Sequence, residues 1–253
     1  MLGADRIARS FELHTRELEA VREIGWSEWR PCVWGGVTTA LLPTVNGAFV
    51  WGPGADPEFV RDTLARVADE GYPHSLTVRG AAAPQWHELA AEFGLSAVDD
   101  VRVMTLAHPE RLTPAGPPQL SLRELGADEA SVHYELSDAI FQMPTGTTEL
   151  MCPPTAFAFP SVRAYAGEAD GEMVCTTLTV TAEQVAWIYD VGTLAEHRGC
   201  GYGGAITAHA VSEAVHAGAT LAVLHTSDDG YPVYRRLGFE HTESWTLWVS
   251  EFD

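Results

Sequence analysis

Residues 196–204 form the run EHRGCGYGG, with glycine at 199, 201, 203 and 204, just behind Arg198. An apolar, β-branched segment, QVAWIYDVGTL (184–194), precedes it, and a helical one, AITAHAVSEAVHAG (205–218), follows. A glycine-rich turn entering a helix offers backbone N–H groups ahead of the helical ladder, together with the positive end of the helix dipole. That is the chemistry of an anion site. Glycine also removes the Cβ that would hold an anion away from the backbone. Arg198 adds charge where its side chain turns inward. Taken alone, the same glycines serve equally well as a tight strand-to-helix turn. Two common nucleotide loops are excluded. GxxxxGK[ST] needs a lysine, and all 15 basic residues of this chain are arginine. GxGxxG opens the first βαβ unit of a dinucleotide fold, whereas this run lies late in the chain behind a β-hairpin.

The elements that must hold this loop follow from turn residues and apolar periodicity. In the second half the pattern predicts a strand over 120–123, a helix over 128–141 with Asp128 near its start, and a loop-rich stretch over 143–160 with one helical turn. A hairpin over 162–166 and 173–180 turns at Asp170-Gly171. A strand over 185–191, the glycine loop, a helix over 202–216 stopped by Gly218, and a strand over 221–225 come next. A short helix over 232–237 and a strand over 240–249 complete the chain. The order is that of an α/β (α+β) protein with a mixed sheet and helices packed on it.

Beyond the glycine loop by one strand and one helix stands Ser227-Asp228-Asp229-Gly230-Tyr231-Pro232-Val233-Tyr234-Arg235-Arg236-Leu237-Gly238-Phe239. With Arg198-Gly199-Cys200-Gly201-Tyr202-Gly203 it makes a pair of motifs, [RQ]xxGx[GA] and [NS]xxAxxxYxxxGF, in which the sequence resembles the GNAT family of N-acetyltransferases. The resemblance covers about residues 119–253. It implies acetyl-CoA as cofactor, with the pyrophosphate on Arg198, Gly199, Cys200, Gly201, Tyr202, Gly203 and Gly204. It implies the pantetheine arm along the main chain of Val191, Gly192 and Thr193, with Val191 or Gly192 N–H polarising the thioester carbonyl. Tyr234 stands where the family often has the general acid that protonates the departing thiolate. Ser227 replaces the commoner asparagine; it either contacts the cofactor or holds a turn. The implied reaction is acetyl transfer to the primary amine of a small molecule by direct attack. The alternative is a regulatory module that binds acetyl-CoA without catalysis.

The family's usual base is a glutamate on the strand before the loop or on the strand after its helix. Trp187 and Ala222 occupy those positions. Asp190, Tyr189 and His225 lie nearby, but regular strand alternation sets Asp190 on the face opposite Trp187 and Tyr189, and no base is assigned. Met143, Thr147 and Glu149 are candidate acceptor contacts.

Net charge is −20, and nucleic acid is a poor partner for such a surface. Ten arginines face 16 acids before residue 119, and five face 19 after it. The field weakly favours a cationic amine, though solubility explains it as well. The four cysteines are scattered, so neither a metal site nor a disulfide framework is expected. No apolar run is long enough to span a bilayer and no signal peptide is evident. A cytoplasmic protein, monomer or homodimer, is expected.

The proline-rich TPAGPPQ (113–119) suggests a boundary, giving domains 1–113 and 119–253. The halves echo one another at an offset of 144, which aligns Gly94-Leu95 with Gly238-Phe239. Together with the resemblance, this implies two GNAT-like domains in tandem, the first degenerate. GPGADPEF (52–59) replaces its glycine loop, with Asp56 and Glu58 repelling phosphate, and Ala90 falls where Tyr234 stands. The first half is expected to complete the fold and wall the acceptor pocket. Trp26, Trp29 and Trp34 either line that pocket or pack in the core.

Overall fold

The computed structural model describes residues 3–22, 24–38, 40–98 and 101–251. The first half runs α1 (Gly3–Glu19), β1 (Ile24–Arg30), β2 (Val33–Thr38), β3 (Gly47–Val50), α2 (Pro57–Asp69), β4 (Ser75–Arg79), α3 (Pro84–Glu92), β5 (Ser96–Ala97) and β6 (Val101–Leu106). The second runs β7 (Leu120–Leu125), α4 (Ala130–Phe141), α5 (Thr147–Met151), β8 (Val162–Ala169), β9 (Glu172–Ala182), β10 (Val185–Thr193), α6 (Tyr202–His216), β11 (Leu221–Thr226), α7 (Tyr231–Arg236) and β12 (Glu240–Val249). From β1 and from β8 onward both halves follow one plan. Three antiparallel strands lead into a helix, a strand parallel to the third, a second helix and a closing strand. No described helix is long and apolar enough to cross a membrane.

Contacts divide the chain into Glu23–Val103 with Thr242–Asp253, and Met1–Arg22 with Met104–His241. The expected boundaries 1–113 and 119–253 are displaced at both ends. Helix α1 buries its apolar stripe in the second unit, and β12 pairs with β4 in the first. Nor is the proline linker a free tether. Gly116 and Pro117 lie against Ala205 and Gly201 at the start of α6, and Leu120 N–H bonds Pro117 C=O at 3.0 Å.

In the first unit the sheet order is β1-β2-β3-β4-β12, with β5 beside β12. Helix α2 buries Val60, Thr63, Leu64 and Val67, one stripe of a 3.6-residue period, in a core with Val33, Leu76, Val78, Trp86 and Trp248. Trp26, Trp29 and Trp34 lie outside that core, half-buried on the strands. Trp26 donates to Glu70 and stacks under Arg66, while Trp29 packs on Trp51.

In the second unit the order is β6-β11-β10-β9-β8-β7. Helix α6 covers one face, packing Tyr202, Ile206 and Ala210 on Tyr165, Val174 and Cys175. Its Val211 and Ala214 join Ile188, Leu224, Tyr234 and Phe239. Helices α1 and α4 bring Leu18, Leu136 and Ile140 to Ala164, Ala166, Leu178 and Val180. These residues alternate with those under α6, as a sheet covered on both faces requires.

Candidate active site

Strands β10 and β11 pair only from Val185↔Leu221 to Ile188↔Leu224, while β10 runs on to Thr193. On its other side β10 pairs Tyr189 with Leu178 and resumes at Gly192↔Thr176, so one extra residue is inserted. Asp190 takes φ +51°, a left-handed conformation that Asp tolerates better than most residues. The backbone of 190–191 therefore lies outside both ladders. The bulge also shifts the side-chain phase. Trp187 and Tyr189 face α1, Ile188 and Val191 face the α6 side, and Gly192 faces α4. Asp190 falls toward α4, where its Oδ2 lies 3.6 Å from His133 Nε2. Regular alternation set Asp190 on the other face; the inserted residue overturns that expectation. At Gly192 a Cβ would sit 2.4 Å from Ile140 Cγ2, so only glycine lets the strand pass α4 here.

The glycine loop leaves the start of α6 open. Gly201, at φ +83°, is the N-cap residue, and no side chain caps the helix. The first intrahelical bond runs from Ala205 N–H to Gly201 C=O at 3.1 Å, so the N–H groups of Tyr202, Gly203 and Gly204 precede the ladder. Arg198 is exposed and its Nε donates to Thr193 C=O at 3.2 Å, tying the loop to the end of β10. Cys200 is exposed, and the Tyr202 ring is buried under the sheet. Tyr202 can thus meet an anion only through its N–H. On α7, Tyr234 is 6% exposed, with its ring against Phe239, and burial pushes its phenol up to about 12. Its hydroxyl bonds no described residue. The Ser227 hydroxyl accepts Gly230 N–H at 3.3 Å and Ser227 C=O accepts Tyr231 N–H at 3.0 Å, which opens α7.

Residues 163–242 match the family model described as Acetyltransferase (GNAT) domain. Over this stretch, about a third of the chain, the sequence is similar to that domain. In fold, the whole chain matches a GCN5-related N-acetyltransferase from Kribbella flavida, with a TM-score of 0.73 and 24% identity, covering 100% of this chain and 97% of that one. A GCN5-related N-acetyltransferase from Sphaerobacter thermophilus matches at TM-score 0.62 and 18% identity, covering 87% and 76%. A tandem GNAT protein from the clavulanic acid biosynthesis pathway matches at 0.55 and 19%, covering 87% and 77%. No curated protein matches the sequence.

Several residues around this site carry no mark in the sequence motifs. Helix α1 lays Ile7, Ser10, His14 and Leu18 on the domain, all buried. Ser10 Oγ accepts from Trp187 Nε1 at 3.0 Å, and Ser10 C=O accepts His14 Nδ1–H at 2.9 Å. His14 Nε2 therefore accepts the Tyr189 hydroxyl, also at 2.9 Å. Burial pulls His14 down to about 3 and pushes the Tyr189 phenol well up, so both are neutral near pH 7. The 3–4 spacing of those four α1 residues was the available signal. Trp187, at one usual base position, is filled by this packing. His225 edges onto Trp187 at 5.6 Å between ring centroids. Arg22, just past α1, donates from Nε to Met151 C=O, and burial lowers its guanidinium. The 143–151 loop is pinned by buried Asp138, which accepts from Gly146 N–H (2.7 Å), Thr148 N–H (2.9 Å) and Thr148 Oγ1 (2.6 Å). Of its candidate contacts, Thr147 is buried and bonds Pro144 C=O, Met143 is half-buried, and Glu149 is exposed. Among the described residues Glu172, Glu196 and His197 lie close enough to share a cation. His197 Nε2 is 3.3 Å from Glu172 Oε2, an ordinary histidine–carboxylate pair.

Proposed function

We propose that the protein transfers an acetyl group from acetyl-CoA to the primary amine of a small molecule by direct attack. The observation that carries this reading is the coincidence of two openings in one domain. An uncapped helix start lies next to a strand that has left β11 and whose residues 190–191 lie outside both ladders, and the buried phenol of Tyr234 belongs to the following helix. The parts fit the cofactor. The N–H groups of 202–204, with Gly199, Gly201 and the exposed Arg198 and Cys200 around them, suit a pyrophosphate. The free main chain at Val191, continuing into Gly192 and Thr193, suits an extended amide arm added as a strand would be. When bound, acetyl-CoA supplies an activated acyl group on a thiolate leaving group.

In this reading Val191 or Gly192 N–H polarises the acyl carbonyl. Tyr234, held neutral by burial, delivers its proton to the departing sulfur. Ser227 is assigned to shape the turn that presents Tyr234. A second reading, acetyl-CoA binding without catalysis, is favoured by Trp187 and Ala222 at the usual base positions, both buried. Calorimetry with acetyl-CoA, followed by CoA release against a panel of amino acids, polyamines and amino sugars, separates the two. Tyr234→Phe is expected to lower kcat by about 10–100-fold at unchanged acetyl-CoA affinity. Binding without release on any amine would leave the second reading standing, and a full kcat in Tyr234→Phe would remove the acid role.

A further inference from the structure

Hydrogen-bond bookkeeping fixes the protonation of His133, which α4 buries completely. Thr176 Oγ1 lies 3.0 Å from Tyr165 C=O, an atom that can only accept, so the threonine hydrogen is committed there. At His133 Nδ1, 2.7 Å away, the same oxygen must accept, and Nδ1 carries the imidazole hydrogen. In neutral His133 the lone pair is therefore on Nε2. That atom is buried without a hydrogen-bond partner among the described residues, and the nearest carboxylate oxygen is Asp190 Oδ2 at 3.6 Å. Two acceptors face each other, one proton short. Unlike His133, Asp190 is 37% exposed at its side chain. The bulge sets it at the head of 190–193, the stretch that has left β11, with 190–191 outside the β9 ladder as well.

We propose that Asp190 is the catalytic base for the acceptor amine and that His133 is its positioning partner and proton store; this rests on the acetyl-transfer reading above. The ammonium of the acceptor gives one proton to the Asp190 carboxylate, which passes it to His133 Nε2, and imidazolium and carboxylate then face each other. The free amine forms the C–N bond as the C–S bond breaks. The nitrogen's second proton goes to Asp190, the sulfur takes the phenol proton of Tyr234, and solvent restores the phenol. Nitrogen loses two protons and sulfur gains one, so one proton leaves to solvent.

The other groups facing the pair do not compete for this role. Tyr189 on β10 and Tyr134 beside His133 on α4 are both shifted upward by burial, and the Cys152 thiol beyond α5 is pushed up to about 12. All three stay neutral near pH 7. Arg22 is a neighbouring cation, whose guanidinium burial lowers and the Asp190 carboxylate, among other groups, raises.

The first test needs no substrate. In the cofactor-free protein labelled with 15N-histidine, long-range 1H–15N spectra should show neutral His133 protonated at Nδ1, with Nε2 as the nitrogen that changes in Asp190→Asn. Asparagine also tolerates a left-handed conformation, so this variant should keep the bulge and the melting temperature. A neutral tautomer protonated at Nε2 overturns the proposal. The second test is kinetic, with the best amine of the panel. Asp190→Asn should lose about 100-fold in kcat at pH 7 with unchanged acetyl-CoA affinity by calorimetry. It should regain about tenfold per pH unit as the amine deprotonates by itself. His133→Gln should lose less, with the same pH-dependent recovery. If wild type turns over and Asp190→Asn turns over equally, this inference alone fails. If wild type neither binds acetyl-CoA nor releases CoA, the acetyl-transfer reading fails and this one with it.

Discussion

At the start of α2, Pro57 fills the first turn, Asp56 accepts Glu58 N–H at 3.0 Å, and Glu58 adds a second carboxylate. At the corresponding start of α6, a left-handed glycine stands in the cap position and no side chain satisfies the first N–H groups. The strands before these helices differ in the same sense. β3 pairs with β4 along all four of its residues, whereas β10 leaves β11 after Ile188 and bulges at Asp190. Ala90, buried in the first core, stands where the second half carries Tyr234. Two segments with one element plan thus diverge in what they leave unsatisfied. The first half closes its helix start, strand ladder and core. The second half keeps a cap, a ladder end and a phenol unspent, each a small local cost of the kind functional sites carry.

The largest effect should come from giving α6 the chemistry of α2. Gly201→Asp places an acid at the N-cap in a conformation Asp tolerates. A Cβ there meets only Pro117 Cγ at 3.8 Å, so the fold should persist. Acetyl-CoA affinity by calorimetry is expected to fall at least ~100-fold, about 3 kcal/mol. Gly201→Ala separates the charge from the added carbon. An undiminished affinity in Gly201→Asp would show that this helix start holds no phosphate.

The units should also part under acid. Burial brings His14 from its usual 6.5 to about 3, and it lies in the second unit. Between those values the unfolded chain binds a proton that the folded chain refuses. Stability is therefore full above about 6.5 and is lost as pH falls toward 3. From pH 7 to pH 5 the loss should be about 2 kcal/mol. Hydrogen exchange should report it at amides of α1 and β10 more than at those of α2 and β4. His14→Gln, which does not titrate, should flatten this dependence; an equal acid response in both units would refute it.

Sequence carried the second half far. The helix over 202–216 and the last strand over 240–249 match α6 and β12 in their bounds, because Gly201, Gly218 and Gly238 punctuate them and all three take positive φ. The motif residues were legible because glycine and tyrosine spacing is local. Three features were not. The seating of α1 on the second unit is a long-range choice that its 3–4 apolar spacing permits but does not direct. The bulge at Asp190 is a one-residue insertion, visible only once β9 is laid beside β10, and it reversed the face on which Asp190 lies. The His133–Asp190 approach joins residues 57 positions apart and leaves no motif.

The smallest effect comes from undoing the closure of the first half. Asp56→Ala removes the side-chain cap of α2 and leaves Pro57 in place. The expected cost is about 1 kcal/mol, measured by denaturant unfolding of the first unit. Removing one carboxylate does not create an anion site there. Glu58 still lies in the first turn, β3 still pairs with β4 to its end, and Ala90 has no proton to give. Calorimetry on Asp56→Ala should therefore show no acetyl-CoA binding beyond that of wild type. An additional binding event would mean that the cap alone separates the two halves. The strand ladder and the buried tyrosine would then count for less in the second half as well.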